Sequence, residues 1–529
     1  MSRIVAAAAL FFVAVSCSQG RSKPTPDEVN LLDRALAAMG GEQKVGAVET
    51  IVVKGSATHW EPHQSVKPDG EMRLAGDSTF VLTRSFSKGA ARTEWVRKLV
   101  YPAPREYRFT EVVTPAAGYV EGVDTTARPK RELDTNPPRH TMSAVRLAAA
   151  QRELIRTSPT LIWMMKSVPA SISSRGSSLV YRPSDVEFVV SFDPGTGLPA
   201  RVSTRDADNV EGDSSYDLVL SDWRDVSGVK IAHRQSYELN GREVIRIQLD
   251  EAQVNPAVTA AQLEVPSELR ATAATPATGK VPYQWVIRRQ FIGTYLDSDG
   301  VSFDSDATSG LKLTEVAPGV SQVGGGSHNS LVVEMADHLI VFDAPVSEWQ
   351  SRWTLDAAKA KYPGKPVKYL VQTHHHMDHA GGVRTYVAEG ATVLVGKGNQ
   401  AHFEKVCAAP HLIDGDALQA KPRPAQIEEV ADRRPLSDGK RTVEVLYLEN
   451  PHAEGMLIGY VADARLGWVA DLWSPGRDKL GEKATPGQVA LVAAVKRLSS
   501  TPERFAGGHG SVADYAPLAR LAEQPQASR

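Results

Sequence analysis

The stretch THHHMDHAGG, residues 373–382, decides how the C-terminal half of this chain folds and what chemistry it can hold. The run KYLVQ before it, residues 368–372, is apolar and β-patterned, so a strand delivers the chain to the decapeptide. His374 and His376 are two residues apart, and extended backbone points side chains so spaced the same way, with His375 facing opposite. Asp378 and His379 follow at once, and Ala380-Gly381-Gly382 permits close backbone approach at a helix start. Such a stretch can offer two ring nitrogens to one cation, and Asp378 with His379 to a second close by. Packing alone explains it poorly, because several imidazoles in one turn are costly to bury without a metal or other partner. Of the 14 histidines, ten lie after residue 320 and four of these fall in the decapeptide.

His-x-His-x-Asp-His at the end of a strand resembles the signature of the metallo-β-lactamase fold superfamily. The resemblance implies further ligands downstream, and residues of the right type occur in order: His452 in ENPHAEGM, Asp471 in GWVADLWSP and His509 in AGGHGS. It covers about residues 312–520. Carried over, His374, His376 and His452 hold a first metal, Asp378, His379 and His509 a second, and Asp471 bridges both. The implied fold is α/β, a four-layer αβ/βα sandwich with the site at one edge of its packed sheets. The alternation of strand-like runs (residues 319–323, 330–334, 339–342, 369–372, 392–395) with helical stretches (349–361, 489–498) is compatible with that. Asp343, after the apolar run LIVF, matches an acid that supports the ligand loops, or is simply a turn residue after a buried strand.

Nitrogen and carboxylate ligands without thiolate suit Zn²⁺, and Fe or Mn as well. Two Zn²⁺ per chain are the expectation for a secreted hydrolase. Two neighbouring cations bring the pKa of a shared water towards neutrality, which makes hydroxide available, and polarise a substrate carbonyl. Asp378 is then the expected catalytic carboxylate, orienting the hydroxide. A bridging acid at Asp471 resembles the glyoxalase-II and lactonase branches, which implies ester, thioester or lactone hydrolysis ahead of β-lactam hydrolysis. Oxidation at a single iron, as in persulfide dioxygenases of the same fold, is the alternative in another chemical class. His328 either lines the substrate site or caps a hairpin, and Trp473 either walls the pocket or packs in the core. His402 and His411, between ligand segments, are expected at the surface or on substrate loops, and Lys397, Lys405, Arg433 and Arg434 as a solvated face or as cations for a carboxylic product. Gly324-Gly325-Gly326 precedes a strand rather than a helix and is no phosphate cradle.

The 529 residues are too many for one core, and 60 basic against 62 acidic side chains leave a formal charge of −2. That balance gives no global reason to expect nucleic acid, and no basic cluster or stacking platform accompanies the histidines. The expected partner is a small acyl substrate, with the oligomeric state open. Residues 1–20 read as an export signal: Met-Ser-Arg, an apolar run over 4–15 too short to span a bilayer, then small polar residues. Two processing routes compete, acylation of Cys17 to give a lipid-anchored protein, or cleavage near Ser18 or Gly20 to release a periplasmic or secreted one. Cys407 is expected to be inert.

Residues 27–265 form the expected N-terminal domain. Asp27 can cap a first helix, the rest is mostly strand, and a helix over 144–166 interrupts the meander. The segments MGGEQKVGAVETIVVKGSAT, DPGTGLPARVST and SDWRDVSGVKIAHRQSYELNGREVIRIQLDEAQVN resemble periplasmic lipoprotein-carrier half-barrels, which implies an α+β half-barrel able to hold an acyl chain. The alternative is a scaffold with no chemistry of its own. Residues 266–282, rich in Ala, Thr and Pro, are expected as a linker, 283–520 as the metallo-β-lactamase fold domain and 521–529 as a tail.

Overall fold

The computed structural model describes residues 25–101, 104–123, 139–184, 186–270, 283–292, 310–326 and 328–524. The export signal and Cys17 lie outside the described residues. No helix among those described is long and apolar enough to cross a membrane.

The first helix, Pro26–Ala38, is capped by Thr25 rather than Asp27. The Thr25 hydroxyl accepts from the Glu28 amide while the Glu28 carboxylate accepts from the Thr25 amide at 2.8 Å, so two of the orphan donors at the helix start are satisfied reciprocally. Thirteen antiparallel strands then build one sheet. Its order places the first strand, Thr50–Glu61, between Arg73–Ser85 and the last, Arg242–Val254. Burial alternates along Thr50–Glu61, the pattern of a sheet with one face on a core and one in solvent. The helices Ala144–Arg156 and Leu161–Ser167 contribute to that core; the single helix expected over 144–166 is broken at residues 157–160, where Pro159 has no amide to continue it.

Two fully buried arginines hold the first of these helices, Ala144–Arg156, to the sheet. Arg156 donates to the carbonyls of Val202 and Tyr216 at 2.9 and 2.6 Å, and Arg146 pairs with buried Glu111. Between sheet and helices lies a cavity of about 190 Å³, lined by Phe80, Leu82, Trp95, Leu154, Leu220 and Trp223 among others.

The boundary expected at residue 283 moves. Helix Tyr283–Ile292 contributes Tyr283, Val286 and Ile287 to the N-terminal core, and Tyr283 donates to Glu153. Residues 271–282 of the expected linker lie outside the described residues, and Ser267–Arg270 is a short helix. At the other end, helix Ala516–Glu523 runs past the expected domain limit of 520.

The C-terminal domain has the expected four layers. A seven-stranded sheet runs in chain order from Lys312–Ala317 to Gln426–Val430, and a six-stranded sheet from Arg433–Ser437 to Val512–Asp514. Strand Leu339–Phe342 explains the stacking: Leu339 and Val341 face one cluster, with helices Glu348–Lys361 and Val383–Glu389, while Ile340 and Phe342 face the cluster between the sheets. A period-two strand buried on both faces reads as an unbroken apolar run. Helices Pro486–Val495 and Ala516–Glu523 cover the outer face of the second sheet.

Membership of helix Tyr283–Ile292 in the N-terminal core is testable. Ile287→Ala, at a side chain 1 % exposed, is expected to lower the unfolding free energy by about 2–4 kcal/mol in urea titration. A loss below about 0.5 kcal/mol would mean that the helix does not support that core.

Candidate metal centre

Strand Val367–Val371 ends where residues 372–376 begin, and a short helix, Met377–Ala380, follows. The two glycines after it answer to close approach. A Cβ on Gly381 would lie 2.2 Å from the Val346 carbonyl oxygen, and one on Gly382 would lie 2.0 Å from the Ser351 hydroxyl, so this turn seats only without side chains. The remaining histidines and the second acid come from the other sheet: His452 lies between strands Thr442–Leu448 and Met456–Val461, Asp471 follows Leu466–Val469, and His509 follows Arg504–Gly507.

These residues converge into two groups whose ligand atoms lie within 4.8 Å of one another, His374, His376, His452 and Asp471 in one and His328, Asp378, His379 and His509 in the other. Asp471 joins them. Its Oδ2 lies 3.1 Å from His374 Nε2 and 2.9 Å from His452 Nε2, while its Oδ1 lies 3.2 Å from His379 Nε2 and 2.7 Å from His509 Nε2. One carboxylate thus addresses both groups with different oxygens. All seven residues predicted as ligands are brought together. His328, expected as lining or as a hairpin cap, stands inside the second group, with Nε2 3.0 Å from Asp378 Oδ2 and its ring 4.4 Å from that of His509.

The donor set fits divalent cations by its unused atoms. Among the described residues His376 Nδ1 is buried with no hydrogen-bond partner, while His374 Nε2 and His452 Nε2 crowd the one oxygen of Asp471 without hydrogen-bond alignment, and all three belong to the first group. An orphaned buried nitrogen is costly unless something absent from the polypeptide satisfies it. Charge states agree. Burial and neighbouring imidazoles hold His376 well below the usual histidine range, and burial lowers His374 too. Asp471 and Asp378 are held well below the carboxylate range; burial opposes this, and adjacent histidines outweigh it. Neutral imidazoles beside ionised carboxylates are the protonation states that metal ligation requires; His379 differs, because Asp471 and Asp343 outweigh its burial and hold it well above the usual histidine range, so a cation there would displace its proton.

Asp343 sits beneath the ligands, fully buried and with φ +59°. Its Oδ1 accepts the Thr373 amide at 2.9 Å and the Thr373 hydroxyl at 2.7 Å, and its Oδ2 lies 3.4 Å from His379 Nδ1 and accepts from Trp468 Nε1 at 3.3 Å. It therefore ties the start of the ligand loop to the ring of His379. Asp471 is also left-handed, at φ +54°; aspartate tolerates that region better than most residues, so both acids can turn sharply off a strand end.

The N-terminal domain, expected to lack chemistry, reaches this site. The segment between strands Thr50–Glu61 and Arg73–Ser85 lies against the ligand loops. Gln64 Nε2 donates to Asp378 Oδ1 at 2.6 Å, and Gln64 Oε1 accepts the Tyr101 hydroxyl. The Ser65 carbonyl lies 2.9 Å from Nε2 of both His375 and His376. Arg73 donates to the His452 carbonyl at 3.0 Å and lies 4.7 Å over the Tyr101 ring. Burial, then Asp378 and Asp471, push the Tyr101 phenol well above its usual value. The segment HWEPHQSVKPDG, residues 59–70, carries two of the four histidines outside the C-terminal domain, and that enrichment is the one sequence signal that pointed here.

Other expectations change. Trp473 does not wall the site; it is buried in the core with its ring centroid 6.0 Å from that of Phe505. His402 and His411 are buried rather than at the surface, beside Asp69 and Asp416 at 3.4 and 3.7 Å. Lys405, Arg433 and Arg434 pair with Asp69, Glu444 and Glu428, and Lys397 is exposed. Burial pushes the Cys407 thiol up to about 12, too high for a reactive thiolate near neutrality.

Comparison with known proteins adds the family. Residues 323–472 match the model of the metallo-beta-lactamase superfamily. A linear primary-alkylsulfatase of Pseudomonas sp. is 40% identical over 86 residues, which are 16% of this chain and 13% of that protein, so the chain spans only a small part of that relative's length. Solved structures similar to the chain include a stereoselective inverting sec-alkylsulfatase from Pseudomonas sp., at 16% identity over 41% of each chain with a TM-score of 0.31. A metallo beta lactamase from Hirschia baltica is 17% identical over 40% of this chain and 96% of its own, also with a TM-score of 0.31. The segment that supplies the His-x-His-x-Asp-His loop, His452 and Asp471 is therefore a metallo-beta-lactamase superfamily segment, set in the four-layer fold of the C-terminal domain.

Proposed function

We propose that this chain is a dinuclear metal-dependent hydrolase that cleaves an ester, thioester or lactone of a small acyl substrate, with two Zn²⁺ held by the histidine and aspartate groups. The observation that carries the reading is Asp471, whose two oxygens face the two groups separately. His374, His376 and His452 would hold the first cation, Asp378, His379 and His509 the second, and Asp471 both. Bound there, the pair would supply Lewis acidity and an activated water. The chain's own contribution is orientation. Gln64 and His328 fix the two oxygens of Asp378 from opposite sides, so a proton on a reacting water meets a carboxylate that cannot rotate away. Asp343 fixes His379 from below. No serine or cysteine nucleophile enters this reading, in keeping with the suppressed Cys407 thiol.

Similarity to an alkylsulfatase over 86 residues supports adding sulfate esters to the candidate substrates. β-Lactam hydrolysis and oxidation at a single iron are the competing activities. The apolar run near the N-terminus supports a site of action outside the cytoplasm, periplasmic or secreted, with or without a lipid at Cys17. A second role, capture of an apolar chain by the N-terminal domain, is favoured by the cavity that Trp95, Phe80 and Leu154 line.

Three measurements decide among these. Metal analysis of protein prepared without added zinc is expected to give two equivalents of a divalent cation, falling together with turnover by at least 100-fold in His376→Ala and Asp378→Ala; unchanged metal content would sink the assignment, and one iron with oxygen uptake would replace it. Thioesters, lactones, aryl esters, alkyl sulfates and cephalosporins, run against an Asp378→Ala blank, are expected to favour an acyl ester over cephalosporins. A fluorescent fatty-acid probe is expected to saturate the full chain and to lose binding in Leu82→Trp, whose larger side chain fills the cavity; non-saturable binding would leave that domain without a ligand.

A further inference from the structure

We infer that the metal centre is built by both domains, with Gln64, locked by Tyr101, acting as a positioning residue for Asp378. The inference rests on the metal-dependent reading above and extends it to residues outside the superfamily segment.

The direction of the hydrogen-bond chain follows from what each group can do. An ionised aspartate only accepts, so the Gln64 side chain must turn its NH₂ towards Asp378 Oδ1, where the separation is 2.6 Å. That leaves Gln64 Oε1 facing the Tyr101 oxygen, and an amide oxygen only accepts, so the phenol must donate. Tyr101 to Gln64 to Asp378 is thus a chain with one permitted polarity. Removing the Tyr101 hydroxyl would free the amide to flip and present Oε1 to the carboxylate, a repulsive contact. Gln64 is 5 % exposed and has no solvent to fall back on.

A neighbouring contact does the same for the other group. His376 Nδ1 is the orphaned atom, and His376 Nε2 lies 2.9 Å from the Ser65 carbonyl. A carbonyl accepts, so the ring proton sits on Nε2 and Nδ1 presents its lone pair, as a ligating histidine held by a backbone acceptor must. Gln64 and Ser65 are adjacent in the chain, yet one serves a residue of the second group and the other a residue of the first. The segment is pinned so that both can reach: the Val66 carbonyl accepts the Glu454 amide at 2.7 Å, two residues from His452, and Arg73 holds the His452 carbonyl.

The test is Zn²⁺ titration of the full-length apoprotein against a chromophoric chelator, with unfolding curves recorded for each variant. Wild type is expected to take two equivalents. Gln64→Met, which keeps the bulk and removes the donor, is expected to weaken the second equivalent 10–100-fold and leave the first within about two-fold. Gln64→Glu keeps the shape and sets a second carboxylate against Asp378, so its loss is expected to be at least as large. Tyr101→Phe is expected to shift the same equivalent by a smaller factor, and kcat to fall with it. Lys67→Ala, which removes only an exposed pairing with Glu454 in the same segment, is expected to match wild type.

Two outcomes would overturn the inference while leaving the hydrolase reading intact: Gln64→Met and Tyr101→Phe both superposing on wild type, or both weakening the two equivalents equally, which is general loosening rather than positioning. If Gln64→Met fails to fold, Tyr101→Phe, which removes one oxygen, decides alone. A wild-type chain that takes up no second equivalent overturns the metal reading first, and this one with it.

Discussion

Asp471 places one carboxylate between four imidazoles, two on each oxygen, and this crowding constrains everything around it. His374 and His379, with neighbouring His376, are almost fully buried, and His376 Nδ1 has no acceptor or donor to meet. Buried polar groups of this density are destabilising as bare polypeptide and become favourable only when a cation organises them. The stacked sheets meet that cost from below. Strand ends from both sheets converge on one edge, and apolar strands buried on both faces keep those ends from spreading. Asp343 and Trp468 then link the floor of the site to the cluster between the sheets.

How much of this was legible depends on how replaceable each residue type is. Histidines and acids that must present lone pairs at fixed spacing leave a signature no packing requirement imitates, so His374, His376, Asp378 and His379 were legible in the sequence itself, and the resemblance they carry implied His452, Asp471 and His509. The four-layer arrangement was implied by the family resemblance that this loop carries, and the strand–helix alternation was compatible with it. His328 was harder, because a lone histidine after a glycine run has no spacing partner; only the folded chain brings it beside Asp378 and His509. Trp473 stayed open between pocket and core because nearness in sequence to Asp471 says nothing of direction; its ring turns inward to Phe505.

Gln64, Ser65, Arg73 and Tyr101 were illegible for a different reason. Glutamine, serine, arginine and tyrosine occur on any strand connection, and their role arises only when a segment more than 300 positions away in sequence comes to rest on them. The same holds for His402 and His411, buried because the N-terminal domain covers them, and for helix Tyr283–Ile292, whose apolar face names no partner. Val210 shows the join from the other side: it lies in the turn between strands Pro199–Asp208 and Gly212–Val226 of the large sheet but packs within the cluster of the second domain.

That docked segment also has a temporal meaning. The contacts from Gln64, Ser65 and Arg73 to the ligand loops span 314, 311 and 379 positions, and contacts of such separation form after local ones because the chain between them must first be ordered. Each domain has its own core and can condense on its own schedule. Docking of residues 62–72 is then expected late in maturation, and until it occurs His376 Nε2 lacks the Ser65 carbonyl and Asp378 is held by His328 alone. A cation bound before docking would meet a more open site than one bound after it. The order of folding, as much as the identity of the ligands, would govern which metal the finished protein keeps.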